Sequence, residues 1–225
     1  MAADEVVITR TREGVATVML NRPERRNALS IGVRDAVSDA LDILAGDEEV
    51  RCVVLTGAGD VFCEGFDRAF LELASSRPSS DRFHRTVLTF PLPIVASVNG
   101  PALAGGFDLA LMCDLRIASA SARFAHPDRL RDRPPGWSQV VYGPLEALVG
   151  GPVARDLCFM GREVDAVEAL QLGLVSEVVE PHELAAETRR VSVSIARAPR
   201  TELMSAKRTG NVGAGIEFEA FTPET

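Results

Sequence analysis

Two uninterrupted apolar runs constrain this chain most: Cys52-Val53-Val54-Leu55 and Ile94 to Val98, each followed by a glycine-rich turn. A strand apolar at every position has to be covered on both faces, which is the situation of a parallel sheet between other layers. Around these runs strands and helices alternate. Val6-Val7-Ile8 and Val15 to Leu20 read as strands joined by Arg12-Glu13-Gly14, and Asn21-Arg22-Pro23 stops the second. Ser30 is the expected N-cap of a helix whose apolar stripe is Val33, Val37, Ala40, Leu41 and Leu44, ending at Gly46.

Further on, Ser75 to Ser80 reads as a flexible loop, Asp81 to Phe90 as a helix, and Phe107 to Met112 as a helix. Leu115 to Ala118 reads as a strand. After Pro144 the pattern turns helical, with a short strand expected at Leu174 to Val179. No repeat of 20–50 residues is visible. The alternation predicts an α/β fold.

Each apolar run leads through glycines to a helix start: Leu55 on to Gly65-Phe66-Asp67, and Val98-Asn99-Gly100 on to Gly105-Gly106-Phe107. N–H groups in the first turn of a helix have no intrahelical acceptor and favour an anion or a developing oxyanion. Glycine lets a ligand approach the backbone. Neither turn is a phosphate loop, because no Gly-Lys-Ser/Thr follows, and neither has the dinucleotide GxGxxG spacing. Two such turns on neighbouring strands can converge on one oxygen.

The composition narrows the partners. With 24 Lys plus Arg against 32 Asp plus Glu, the 225-residue chain carries a net charge of −8, which argues against a nucleic-acid binder. The basic cluster Arg22-Pro23-Glu24-Arg25-Arg26 suits a single small polyphosphate ligand instead. Cys52, Cys63, Cys113 and Cys158 lie among apolar neighbours without CxxC spacing and read as buried reduced thiols. Three scattered histidines make no metal motif. No stretch reads as a signal peptide and no apolar run reaches about 18 residues, so the expected location is the cytoplasm, away from membranes.

Asn21-Arg22-Pro23-Glu24-Arg25-Arg26-Asn27-Ala28-Leu29 resembles the opening motif of the enoyl-CoA hydratase/isomerase (crotonase) superfamily. Val53 to Gly59 with Phe62 to Asp67 is similar as well, and Pro93 to Ala118 resembles the family signature position by position. Ala122-Arg123-Phe124 and Gly173-Leu174-Val175 also fit. The resemblance runs over residues 5 to 210. It implies a crotonase-like (ClpP/crotonase) spiral of ββα units, with a core over residues 1–195 and a truncated helical segment over 196–225.

The resemblance also implies roles. The N–H groups of Phe66 and Gly105 would form an oxyanion hole for a coenzyme A thioester. Arg25 and Ala28, with the loop after Gly65, would lay down the adenine and pyrophosphate. Gly106 and Trp137 would border the substrate, and Asp67 would fix the loop. Coenzyme A would come and go as part of the substrate, with no permanently bound cofactor and no metal. A homotrimer or a dimer of trimers is the implied assembly.

Two family glutamates are aspartates here, Asp108 and Asp128. Each keeps a carboxyl group but loses about 1 Å of reach, a loss that can cost about a hundredfold when proton transfer needs contact. Family isomerases do carry aspartate at the position of Asp108. The turn after Asp128 is Pro134-Pro135-Gly136-Trp137, where Trp137 either narrows the acyl pocket or joins the core. Glu64 stands where the family has a small residue and reads as solvent-exposed. His84 reads as a surface or hydrogen-bonded histidine, His126 can tune Asp128, and Asp114 reads as a helix terminator. The Gly-rich end, Gly210 to Gly215, predicts a frayed or missing terminal subdomain. The leading expectation is hydration–dehydration across Cα–Cβ by Asp108 and Asp128. Double-bond isomerisation, and acyl-CoA binding without chemistry, are the alternatives.

Overall fold

The protein is described here by a computed structural model. It describes residues 5–67, 76–125 and 137–213, with the side chains of all of these but 76–77, 137–142 and 212–213. Strand β1 (Val6–Arg10) pairs antiparallel with β2 (Val15–Leu20). The chain then crosses through α1 (Ile31–Gly46) to β3 (Cys52–Gly57), parallel to β2. Helix α2 (Ser76–Thr89) leads to β4 (Ile94–Val98), parallel to β3 with Val53 beside Ile94 and Leu55 beside Ala96.

The short β5 (Ala102–Leu103) precedes α3 (Gly105–Met112), and β6 (Leu115–Ser119) returns parallel to β4. Next come β7 (Arg123–Ala125), α4 (Trp137–Val149), α5 (Gly151–Met160), β8 (Val164–Asp165) and α6 (Ala166–Gln171). The last elements are β9 (Glu177–Val179), α7 (Leu184–Ala196) and α8 (Arg200–Gly213). The large sheet has the order β1-β2-β3-β4-β6-β9, and β5-β7-β8 form a second, small one.

Coverage on both faces explains the apolar runs. Val53 and Leu55 point into the main core with Ile94, Ala96 and Val98. Cys52, Val54, Val95 and Ile117 point the other way, onto Leu184 and Ala196 of α7. The thiols of Cys52, Cys63 and Cys113 are each pushed up to about 12 by burial, as inert reduced cysteines should be. Helix α1 is the one read from the sequence: Ser30 Oγ accepts from Val33 N at 3.1 Å, and the expected stripe is buried.

Several expectations change. Ser76 to Ser80 belong to α2 rather than to a loop. Proline is tolerated in a first helical turn, where its missing N–H would lack an acceptor anyway. The turn is anchored on α1 by Ser79 Oγ, which donates to Asp35 Oδ1 at 2.8 Å. Helix α4 starts at Trp137 and runs through Pro144, and the late strand is only Glu177–Val179. Helix α3 starts two residues early, at Gly105.

The frayed end is also corrected as far as residue 213, because α8 continues through Gly210. Lys207, 9% exposed, donates from Nζ to Leu92 O at 2.9 Å and pairs with Asp114 Oδ2 at 2.8 Å. Asp114 is therefore a cross-link as well as a terminator, since it also accepts from Ile94 N at 2.7 Å. At the other end of α8, Arg200 donates to Ala45 O at 2.6 Å and Asp47 O at 3.1 Å. Buried Arg116 holds the end of α3 and the turn before β9 together through Cys113 O at 2.5 Å and Leu174 O at 2.6 Å. Charge-assisted bonds of this kind contribute about 1.5–3 kcal/mol each.

Candidate active site

The two glycine turns meet. After β3 the chain is stitched by two asparagines. Fully buried Asn27 donates to Val61 O at 2.7 Å and to Ala58 O at 2.9 Å, while Asn99 donates to Gly59 O at 2.9 Å. This holds residues 63–66 as an extended piece between two neighbours. On one side Leu29 N donates to Gly65 O at 2.7 Å and Asp67 N to Leu29 O at 3.2 Å. On the other, Cys63 N donates to Pro101 O at 3.1 Å and Leu103 N to Cys63 O at 2.9 Å.

Peptide planarity then gives the aim of both amides. In a trans peptide C=O and N–H point in opposite directions. Gly65 C=O is spent on Leu29, so the Phe66 N–H is turned to the side of residues 101–105. Ala104 C=O accepts from Asp108 N at 3.0 Å along α3, so the Gly105 N–H leaves the helix backwards, at the positive end of its dipole. Both amides face the junction of the two turns.

That junction is tight and locally strained. A Cβ on Gly65 (φ +114°) would lie 2.9 Å from Ala104 Cβ and 3.2 Å from Gly105 N. A Cβ on Gly105 would lie 2.3 Å from Phe66 Cε2. Ala104 itself holds φ 47°, ψ −119°, a conformation that costs a residue with a Cβ on the order of 1–3 kcal/mol. Such strain persists where surrounding structure imposes it, and here it aims the first N–H of α3.

Asp108, 1% exposed, sits in the first turn of α3, within electrostatic reach of both Cys63 and His84. Asp128 and His126 lie outside the described residues, as does the side chain of Trp137, whose backbone opens α4. Gly106 packs closely on the first turn. A Cβ there would lie 2.1 Å from Cys63 O, so its glycine is accounted for by close packing of α3 on the first turn. Asp67 faces Arg22 at 3.8 Å, consistent with fixing the loop. Arg25 and Ala28 lie on and just after a short 3-10 turn, Pro23–Arg25, with Arg25 exposed. Glu64 pairs with Arg26 at 2.8 Å on the surface, as expected of a solvated carboxylate.

His84 is the hydrogen-bonded alternative rather than the surface one, buried with its ring 6.3 Å from that of Phe66 and 5.5 Å from that of Phe83. Its Nδ1 is 2.7 Å from Ser80 O. Arg34, 1% exposed, lies 5.7 Å from the Phe66 ring centroid, bonds Ser80 Oγ, and donates from Nε to Ser30 O at 3.2 Å. Helical spacing carried the signal. Arg34 falls on the stripe of Val37 and Leu41, and His84 on that of Val87 and Leu88, so both had to face the α1–α2 interface. Burial lowers the pKa of each. Among the described residues no group of His, Cys, Asp and Glu could hold a metal ion, and no helix is long and apolar enough to cross a membrane.

Comparison with known proteins agrees with this arrangement. Residues 10–216 match the family described as enoyl-CoA hydratase/isomerase. A putative enoyl-CoA hydratase of Thermus thermophilus is 39% identical over 86% of this chain and 79% of its own length. A crotonyl-CoA hydratase of Syntrophomonas wolfei is 32% identical over 96% and 85%. Among solved structures, a monofunctional enoyl-CoA isomerase from M. smegmatis superposes with a TM-score of 0.83 at 32% identity, covering 95% of each chain. An enoyl-CoA hydratase from Bacillus anthracis superposes at 0.86 with 29% identity, over 96% of this chain and 86% of that one. The fold is thus the crotonase fold, and the chain belongs to the enoyl-CoA hydratase/isomerase (crotonase) superfamily.

Proposed function

We propose that this protein processes acyl thioesters of coenzyme A, and that its reaction is the hydration of 2-enoyl-CoA and its reversal. The carrying observation is the pair of amides, Phe66 and Gly105, directed at one junction beside the buried Asp108. A thioester oxygen placed there gains negative charge as the enolate forms, where two preorganised N–H donors are worth about 3–4 kcal/mol each. Water then supplies OH to Cβ and a proton to Cα, with Asp108 and Asp128 as the acid and base. Arg25, Ala28 and the turn after Gly65 hold the nucleotide end of coenzyme A, which leaves with the product.

The assay is loss of the conjugated absorbance when purified protein meets crotonyl-CoA and longer 2-enoyl-CoAs. Turnover is expected, and none at high enzyme concentration defeats the hydratase assignment. The match to the isomerase over 95% of each chain favours a second reading, proton shuttling between Cα and Cγ. Deuterium entering both carbons without water adding at Cβ selects it.

We further read the protein as a cytoplasmic enzyme of fatty-acyl metabolism that works as a homotrimer. Support for assembly comes from exposed Phe159 and Met160 on α5 and Val167 and Leu170 on α6. Arg162 ties these helices together through Asp156 and Glu168. Light scattering should give about three times the 24.1 kDa chain mass; a monomer at micromolar concentration refutes it.

A further inference from the structure

The Phe66 amide is aimed by a bridge one residue long. Leu29 and Phe66 pair in parallel, with Leu29 N donating to Gly65 O at 2.7 Å and Asp67 N to Leu29 O at 3.2 Å. So short a bridge is a weak brace by itself. Gly65, at φ +114°, has no Cβ to resist a turn of the peptide that follows it. Firmness has to come from the Phe66 side chain, whose ring holds its Cα only as well as the ring is held. Arg34 of α1 touches both halves of the bridge. Its guanidinium lies 5.7 Å from the Phe66 ring centroid, within cation–π range. Its Nε donates to Ser30 O at 3.2 Å, one residue on from Leu29, and its Nη1 donates to Ser80 Oγ on α2. The side chain is buried, and burying a guanidinium costs more than burying an apolar chain of equal length. An apolar residue would fill the space without that cost, but it would not tie the ring to the main chain at Ser30.

We propose that Arg34 is a positioning residue for the oxyanion site: it clamps the Phe66 ring to the Leu29–Ser30 main chain and so fixes the direction of the Phe66 N–H. This rests on the reading of that amide as a donor to a thioester oxygen, and it holds for hydration and isomerisation alike. The same ring abuts the second donor, since a Cβ on Gly105 would lie 2.3 Å from Phe66 Cε2. Where the ring sits therefore also sets how far apart the two amides stand. Arg34 acts through Phe66 and not on the substrate, because its guanidinium is spent on the ring, Ser30 O and Ser80 Oγ. Preorganised donors are effective only while they need no rearrangement as charge develops, and a clamp on the ring supplies that rigidity.

The test separates this role from mere packing. Arg34→Met keeps the length and fills the space, but holds neither Ser30 O nor the ring. Cinnamoyl-CoA is the probe, because hydrogen bonds to its thioester oxygen draw charge along the conjugated chain and move its absorption to longer wavelength. Wild type should show that displacement on binding. Arg34→Met should bind the probe as tightly, through the nucleotide end, and lose most of the displacement. With crotonyl-CoA its kcat should fall by a factor of about 10 to 100, the scale of a donor misplaced by up to about 1 Å, while KM holds. Because Arg34 acts through the ring, adding Arg34→Met to Phe66→Leu should cost little more than Phe66→Leu alone. A folded Arg34→Met with the full displacement overturns the proposal, and so do fully additive effects in the double variant. Should Arg34→Met not fold, Arg34→Lys takes its place: it keeps a cation beside the ring but has no Nε for Ser30 O, and the same outcomes decide. No displacement in wild type overturns the reading of the two amides as thioester donors. Displacement without enoyl-CoA turnover overturns only the hydratase reading, and the absorbance then decides on Arg34.

Discussion

Asp108→Asn is expected to lower kcat for enoyl-CoA hydration by a factor of about 10²–10⁴, the usual contribution of a positioned acid or base. KM should hardly move, because the amide has the shape of the carboxyl group and, on the proposed reading, main-chain groups grip the thioester. The melting temperature should hold as well. Asp108 lies buried at the N-terminal end of α3, where the amide loses some favourable dipole interaction but keeps its volume. Steady-state kinetics with crotonyl-CoA, alongside thermal melting, makes the measurement. A kcat within about threefold of wild type would remove Asp108 from the chemistry and favour a protein that binds acyl-CoA without turning it over.

The second large effect is expected from Gly105→Ala, a change of one methyl group. Its Cβ would fall 2.3 Å from Phe66 Cε2 and 2.5 Å from Cδ2, so the Phe66 ring has to move. Free movement is blocked, with the Arg34 guanidinium 5.7 Å from the ring centroid and the His84 ring at 6.3 Å, both buried side chains. Displacement therefore passes into the main chain of one turn or the other and separates the two amides. Loss of one oxyanion donor typically costs about 10²–10³ in kcat. Gly210→Ala on α8, where no heavy atom lies within 4 Å of the new Cβ, serves as the control and should leave kcat unchanged. Equal kcat in the two variants would mean that the junction of the turns does not hold the reacting oxygen.

Both experiments probe positions visible in the amino-acid order, and the reason is local. Gly65, Gly105 and Gly106 stand where a Cβ would strike backbone or an aromatic ring, so close approach of main chain to main chain demands glycine. The α1 stripe and its Ser30 cap were legible for a similar reason: helical spacing and one side-chain oxygen specify them. The Ser76–Ser80 stretch was not. Its serines and proline carry a loop signature, and only contacts with Asp35 and Arg34 on α1 make helix the better outcome. The Gly-rich stretch of α8 followed suit, since Lys207 and Arg200 tie that helix to carbonyls more than 100 residues earlier in the chain.

What the amino-acid order determined by itself was the set of strands and helices around two glycine turns, because buried runs, caps and turn residues act over a few positions. It also carried the family motif with Phe66, Gly105 and Asp108. Tertiary structure alone decided that Arg34 and His84 join them, because a polar residue on an apolar stripe declares only that it is buried. Which partners it meets depends on how α1, α2 and α3 pack together, and that packing gathers residues 34, 66 and 84, with Asp108 within electrostatic reach of His84.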